Sequence, residues 1–302
     1  MATILITGGS GLVGSRLTSL LLRHKHDVRW LSRFAGITDG VERFVWDLSK
    51  GTVDPRAFEG VDHIVHLSGA GIADKRWTAS RMQELYASRG AAARLLLKVA
   101  REQGFVPKSF ISASGVGIYG AVTNDHVSGE SDPAGQDAIG RLSLDWEQAA
   151  DEWSSITRVV KLRTPMVIAR EGGALPKLAA PVRWGLGAPL GSGHQWMPWV
   201  HIDDLSAAYL HAITNIDVSG AFNVCAEEQP TNAEFMHAVA QVLGRPFFLP
   251  NVPAFALRMA LGEMSSILLE GSRASNAKLR ATDFRFHHDK LVQALAAELV
   301  GK

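Results

Sequence analysis

The sequence predicts an α/β fold: a doubly wound parallel sheet with helices on both faces, and a smaller, mostly helical lobe at the C-terminal end. Three observations carry that expectation. Short β-rich apolar runs alternate with longer helical patterns over the first two-thirds of the chain. A glycine-rich turn separates the first apolar run from the first helix, and after about residue 165 the texture shifts to Gly, Pro and Trp.

In chain order, strands are expected at Thr3–Thr7, Val28–Ser32, Arg43–Trp46, His63–Leu67, Ser109–Ser112 and Arg158–Leu162. Continuous apolar stretches such as Ile64-Val65-His66-Leu67 suit strands covered on both faces. Between them, Ser15–Arg23, Arg81–Gln103 and Leu142–Trp153 carry apolar residues three and four apart, as amphipathic helices do. Separations of roughly 15 to 45 residues leave room for the right-handed helical crossovers that parallel strands require. The loop-rich stretch 170–200 is followed by a helix at Ile202–Ile213, a strand at Ala221–Cys225 and a helix at Thr231–Leu243. Pro246, Pro250 and Pro253 then punctuate the entry to the last lobe.

Bulk properties exclude several functions. With 31 basic and 30 acidic side chains the net charge is +1, which gives no electrostatic case for nucleic acid or an anionic membrane as main partner. A lone cysteine, Cys225, allows no internal disulfide and no multi-cysteine metal site, so no metal is expected and a reducing cytoplasm fits. Cys225 sits in an apolar run and reads as a buried strand residue. Neither a targeting signal nor an apolar run of membrane-spanning length is expected.

The turn after the first strand reads Thr7-Gly8-Gly9-Ser10-Gly11-Leu12-Val13-Gly14. A G-x-G-x-x-G pattern between a strand and an amphipathic helix is a dinucleotide-binding arrangement of the Rossmann type. Glycines allow the tight turn, the close approach of a pyrophosphate and the packing of helix on strand, while the helix N-terminus offers free N–H groups to the phosphates. Cofactor choice is read at the end of the second strand, where an acid would bind the 2′-hydroxyl of NAD(H). This chain has Leu31-Ser32-Arg33-Phe34 instead. Ser32 can bond a 2′-phosphate, and Arg33 can pair with it and stack on adenine, so NADP(H) is expected over NAD(H).

Six segments taken together resemble the extended short-chain dehydrogenase/reductase superfamily, and more narrowly its atypical YfcH-like "epimerase family" branch with a C-terminal domain of unknown function. They are the glycine motif, Ala73-Asp74-Lys75-Arg76-Trp77, Ile111–Gly120, Leu162-Arg163-Thr164, Trp199-Val200-His201-Ile202-Asp203-Asp204 and Gly262-Glu263-Met264. The likeness covers essentially the whole chain. It implies a dinucleotide-binding domain over 1–248, to whose substrate lobe 165–200 and 225–248 contribute, and a small family-specific domain over 249–302. It also implies cofactor contacts from Asp47 and Leu48, from the turn Leu67-Ser68-Gly69, from Ser112 and Ala113, and from Thr164, Pro165 and Met166. The family's Glu-Pro after that turn is replaced by Ala70-Gly71.

Typical members of the superfamily pair a tyrosine and a lysine four residues apart on one helix face, the tyrosine passing a proton as hydride moves. The equivalent helix here, Gln136–Ala150, contains neither residue. By resemblance, Ser114 takes the place of the serine that bonds the reacting oxygen, and Tyr119 is the nearest replacement acid. Lys75 and Arg76 could hold an anionic group at the pocket mouth. Gln195, Trp196 and Trp199 are expected to line the pocket, whose aromatic rings suit a partly apolar substrate. His201 is expected to anchor the helix beyond it and Asp203 to cap that helix. Two functions follow as expectations: an NADP(H)-dependent oxidoreductase or nucleoside-sugar-epimerase-like protein acting on a small carbonyl or alcohol, or a non-catalytic NADP(H) sensor. A homodimer is compatible with either.

Overall fold

The structure, a computed structural model, describes residues 1–301. The chain opens with β1 (Thr3–Thr7), α1 (Leu12–Arg23), β2 (Asp27–Ser32), β3 (Gly36–Thr38), β4 (Val41–Asp47), β5 (Thr52–Val53) and β6 (His63–His66). Next come α2 (Ala79–Tyr86), α3 (Ala92–Glu102), β7 (Ser109–Gly115), β8 (Val127–Ser128), α4 (Ala138–Asp151) and β9 (Arg158–Thr164). The second part holds β10 (Met166–Ile168), α5 (Leu175–Arg183), β11 (Trp199–His201), α6 (Ile202–Thr214), β12 (Gly220–Asn223) and α7 (Asn232–Val242). The chain closes with α8 (Ala254–Leu261), α9 (Ser266–Leu269), β13 (Arg273–Ala274), α10 (Ala277–Arg280) and α11 (Leu291–Leu299).

The main sheet runs β12-β9-β7-β6-β1-β2-β4-β3, parallel except for β3, with β5 antiparallel on β4. Strand order reverses between β1 and β6, so the loops leaving these two strands open a crevice at the C-terminal edge of the sheet. One face is packed by α1 and α6 around Ile4, Ile6, Ile111 and Val160. The other is packed by α3 and α4 around Leu5, Ile64 and Phe110, with Trp153 stacked on Phe110 at 4.3 Å. Strands alternate inward residues between two covered faces, which explains their continuous apolar character.

Several expected elements differ in detail. The long helix Arg81–Gln103 is interrupted by a π-helical segment at Ala87–Ala91, which turns Arg89 inward. There its guanidinium lies 5.0 Å over the Trp146 ring and donates to the carbonyl of Ala70 at 2.8 Å. Cys225 lies just past the last strand of the sheet; it is buried, its thiol is pushed up to about 12 by burial, and its Sγ reaches the carbonyl of Ala274. A further core joins α5, α7 and α11 around Leu175, Trp199, Phe235 and Leu295. Helix α11 therefore shares a core with α5 and α7. No helix among the described residues is long and apolar enough to cross a membrane.

Candidate functional site

The glycine loop sits in the crevice in a form that only glycine permits. Gly8 has φ +71°, and a Cβ there would meet the Leu67 and Ser68 backbone at 2.9–3.0 Å. A Cβ on Gly9 would lie 2.4 Å from the Trp30 ring, whose indole N–H donates to Thr18 Oγ1. At Gly14 it would lie 2.3 Å from the Gly8 carbonyl. Gly11 is different: its Cβ would meet only the Gly8 carbonyl oxygen, at 3.2 Å, so its other side is open. Gly11 is the N-cap of α1 and no side chain caps that helix. The first-turn amides of Leu12, Val13 and Gly14 thus face the crevice without an intrahelical partner. Ser10 is exposed at the tip of the turn.

The facing wall is fixed by a buried histidine. His66 Nε2–H donates to the Arg89 carbonyl at 3.2 Å, which leaves Nδ1 to accept from Thr7 Oγ1 at 2.9 Å. Thr7 Oγ1 in turn accepts from the Leu67 and Ser68 amides, both at 3.1 Å. Burial lowers the His66 pKa to about 4, so this strut is neutral at physiological pH. Ser68 Oγ is shielded from solvent yet has no hydrogen-bond partner, and Gly69 is exposed beside it. An orphan hydroxyl facing a glycine cradle fits the ribose and diphosphate of a dinucleotide.

At the end of β2 there is no carboxylate. Ser32 Oγ is turned into a local loop with Phe34, accepting its N–H at 3.1 Å. Arg33 is exposed, and its guanidinium enters no ion pair or hydrogen bond among the described residues. Asp47 closes a turn onto Ser49 and Lys50, and those hydrogen bonds hold its pKa below the usual carboxylate range; Leu48 beside it is partly exposed. On the opposite flank, a Cβ on Gly172 or Gly173 would lie 3.5 Å from the Leu12 side chain. The chain from Thr164, Pro165 and Met166 therefore folds back toward the glycine loop. Ser112 is buried and bonds its neighbour's carbonyl, while Ala113 packs against the α1–α6 core.

The two catalytic candidates are placed otherwise than the sequence suggested. Ser114 Oγ donates to Glu147 Oε1 at 2.6 Å. That carboxylate is gripped by Arg163 through two bonds, Nε to Oε1 at 2.7 Å and Nη2 to Oε2 at 2.9 Å. Arg163 Nη1 donates to Tyr119 Oη at 2.8 Å, and Tyr119 donates onward to Asn223 Oδ1 at 2.7 Å. Burial alone would raise the Glu147 pKa; Arg163, Ser114 and Lys161 more than offset it and keep the carboxylate ionised. Burial likewise raises Tyr119. Both hydroxyl protons are committed to acceptors inside the protein. Ser114 cannot polarise a carbonyl by donation, and Tyr119 cannot hand its proton to a substrate, while these bonds stand. Arg163 stands in one of the family-like segments and Glu147 in the helix that lacks the Tyr and Lys; their pairing joins α4 and β9.

A cavity of about 540 Å³ lies between the N-terminus of α4 and the C-terminal lobe, lined by Trp77, Ile139, Arg141, Arg258, Glu263 and Leu269 among others. Asp137 caps α4 at its edge through the Gly140 N–H. Ile139 and Ser143 stand on the α4 face where a Tyr-x-x-x-Lys pair would have been sought. Lys75 and Arg76 are exposed on the turn before Trp77, and Arg76 reaches Gly262 beside the cavity. The three residues expected to line a pocket do not line this one. Gln195 is buried as a strut, its amide donating to the carbonyls of Leu190 and Leu268. Trp196 bonds the Asn124 carbonyl and carries Arg273 over its ring, and Trp199 is fully buried in the core beneath α5. Gln195 and Trp196 thus spend their polar groups on backbone carbonyls of the lobe, and the Trp199 ring fills its core, with an indole N–H that finds no partner among the described residues. His201, and not Asp203, caps α6: its Nδ1 accepts the Asp203 N–H, and Asp203 pairs with Arg16 on α1. His201 keeps extended backbone and α6 begins at Ile202, two residues earlier than an Asp203 cap would allow.

Residues 4–225 match the NAD dependent epimerase/dehydratase family, and 252–298 match a domain of unknown function, DUF1731. This chain belongs to the NAD-dependent epimerase/dehydratase family. Within it, an epimerase family protein of Mycobacterium leprae, ML0860, is 37% identical over 98% of this chain and 95% of its own. The Bacillus subtilis epimerase family protein YfhF is 34% identical over 97% and 96%. A crystal structure of human epimerase family protein SDR39U1 with NADPH superposes with a TM-score of 0.87 at 33% identity, covering 97% of this chain and 98% of that one. The epimerase-family relationship thus extends through the C-terminal lobe as well as the dinucleotide-binding sheet.

Proposed function

We propose that this chain binds NADP(H) across the crevice between β1 and β6, and uses it in oxidoreductase or epimerase-like chemistry on a small alcohol or carbonyl compound in the cleft beside Trp77. The observation that carries the cofactor assignment is Arg33, exposed and unpaired where an NAD(H) site would place an acid. The NADPH held by the human relative supports the same reading. In this chain Arg33 would pair with the 2′-phosphate, the loop Gly8–Gly14 and the first turn of α1 would take the diphosphate, and Ser68 would meet a ribose hydroxyl. The segment 164–166 would line the nicotinamide side, and the dinucleotide, when bound, would supply or accept hydride.

The chain's own part in the chemistry lies at the end of β7. With its proton given to Glu147, Ser114 keeps its oxygen lone pairs for an incoming hydroxyl, so it suits an alcohol better than a carbonyl. With Tyr119 committed to Asn223, water carries the proton to or from bulk solvent. Without a positioned acid or base the rate falls by roughly 10²–10⁴ relative to a site that has one. Turnover is therefore expected to be slow.

Incubating the protein with NADPH and a panel of small aldehydes and ketones, and with NADP⁺ and the matching alcohols, tests this by the nicotinamide absorbance. Slow turnover that disappears in Ser114→Ala, with cofactor affinity kept, is the expected outcome. A second reading, an NADP(H) sensor without catalysis, draws on the commitment of both hydroxyl protons inside the protein. Tight NADPH binding with no turnover across the panel would select it.

A further inference from the structure

The near-neutral charge of the whole chain conceals a local segregation on the C-terminal lobe. Segments 174–191 and 244–262 run side by side: Gly185 approaches Pro246, Gly187 packs on Phe247, Leu190 pairs with Val252, and Gly191 approaches Ala254. Along this double segment Trp184, Leu186, Phe248, Phe255 and Met259 are each between 61 and 84% exposed. Helix α8 has no buried residue, although Arg258 is its only charged one. Three of these five side chains are aromatic and carry about 150–250 Å² each, so together they offer apolar area of the few hundred Å² that marks an interaction surface. The same two segments contain Lys177, Arg183, Arg245 and Arg258, all exposed and free of ion pairs, and no acidic residue.

We infer that this surface docks on an anionic phospholipid bilayer, with Trp184, Leu186, Phe248, Phe255 and Met259 entering the interfacial layer and the four cations meeting lipid headgroups. Exposed aromatics interleaved with unpaired Lys and Arg suit the boundary between headgroups and acyl chains. Apposition with a second copy is the poorer fit, because a two-fold contact sets the same cations near one another. Helix α8 contributes Arg258 to the 540 Å³ cavity as well as Phe255 and Met259 to the patch, so docking brings the mouth of that cavity to the membrane surface.

Co-sedimentation of the whole chain with vesicles of phosphatidylcholine, with and without phosphatidylserine, tests the inference. Binding to the anionic vesicles only is expected, and it should weaken as salt is raised. Each cation near such a surface raises partitioning by about five-fold, so Arg183→Ala and Arg245→Ala should each reduce it by that order. A Trp184→Ser/Phe255→Ser/Met259→Ser variant should lose vesicle binding while keeping its melting temperature and its affinity for NADPH. No binding to anionic vesicles, or binding unchanged in the triple variant, overturns the inference. A dimer in sedimentation velocity that dissociates in the triple variant would do so too, assigning the surface to a second copy.

Discussion

Glu147 ties the two hydroxyls that the sequence offered for catalysis into one buried network. It accepts the hydrogen bond of the Ser114 hydroxyl, neutralises Arg163 and, through Arg163, fixes the Tyr119 hydroxyl. Removing one member of a buried ion pair leaves the other charge stranded, at about 3–5 kcal/mol. Glu147→Gln should therefore destabilise the protein by roughly that amount, visible as a lowered denaturation midpoint. Adding Arg163→Met should restore part of it. An unchanged midpoint in the single variant would mean that the pair is not the strut described. This network could not be read from the sequence, because its members lie on four separate elements. Ser114 and Tyr119 were visible as polar residues in a suggestive motif, but the direction of their protons depends on partners 33 and 104 residues away. The aromatic residues Trp196 and Trp199 misled for a related reason: a Trp in a glycine-rich stretch can face a pocket or fill a core, and local sequence does not distinguish the two.

At the scale of the element, the strand–loop–helix unit from β1 to α1 was legible almost completely. Its glycines carry distinct duties that substitution can separate. Gly9→Ala would drive a methyl into the Trp30 ring and Gly14→Ala would drive one into the Gly8 carbonyl. Both should lower the melting temperature. Gly11→Ala meets no such obstruction, so it should fold with a near-normal melting temperature and lose at least ten-fold in affinity for NADPH and NADH alike, since its methyl would occupy the diphosphate side of the loop. Loss of stability in Gly11→Ala comparable to Gly9→Ala would contradict this division. The interruption of the helix before α3 was hidden, by contrast. Its apolar spacing reads as one continuous amphipathic pattern, and the π-helical segment is stabilised by Arg89 reaching Ala70 and Trp146, contacts far apart in sequence.

Across the whole molecule, the doubly wound sheet followed from alternation of period and spacing alone, whereas the packing of α11 against α7 is announced by no pattern. Acid stability is also a property of the whole, and β6 contributes to it. His63 and His66 stand at its two ends, both lowered to about 4 by burial against an ordinary value of 6.5. A histidine buried neutral binds its proton more readily when unfolded, so stability is full above about pH 6.5 and declines as pH falls toward 4. Melting curves at pH 7 and pH 5 should show that decline, and it should be shallower in His63→Gln; identical curves would count against it. The proposed discrimination of NADP(H) from NAD(H) rests on one unpaired arginine, Arg33. Its most direct test is calorimetric titration of the wild type and of Arg33→Ala with NADPH and with NADH. A charge-assisted pair with the 2′-phosphate is worth about 1.5–3 kcal/mol, so wild type should prefer NADPH by roughly 10- to 100-fold and Arg33→Ala should lose that preference without losing NADH. Equal affinity of the wild type for both, or an unaltered preference in Arg33→Ala, would contradict the account.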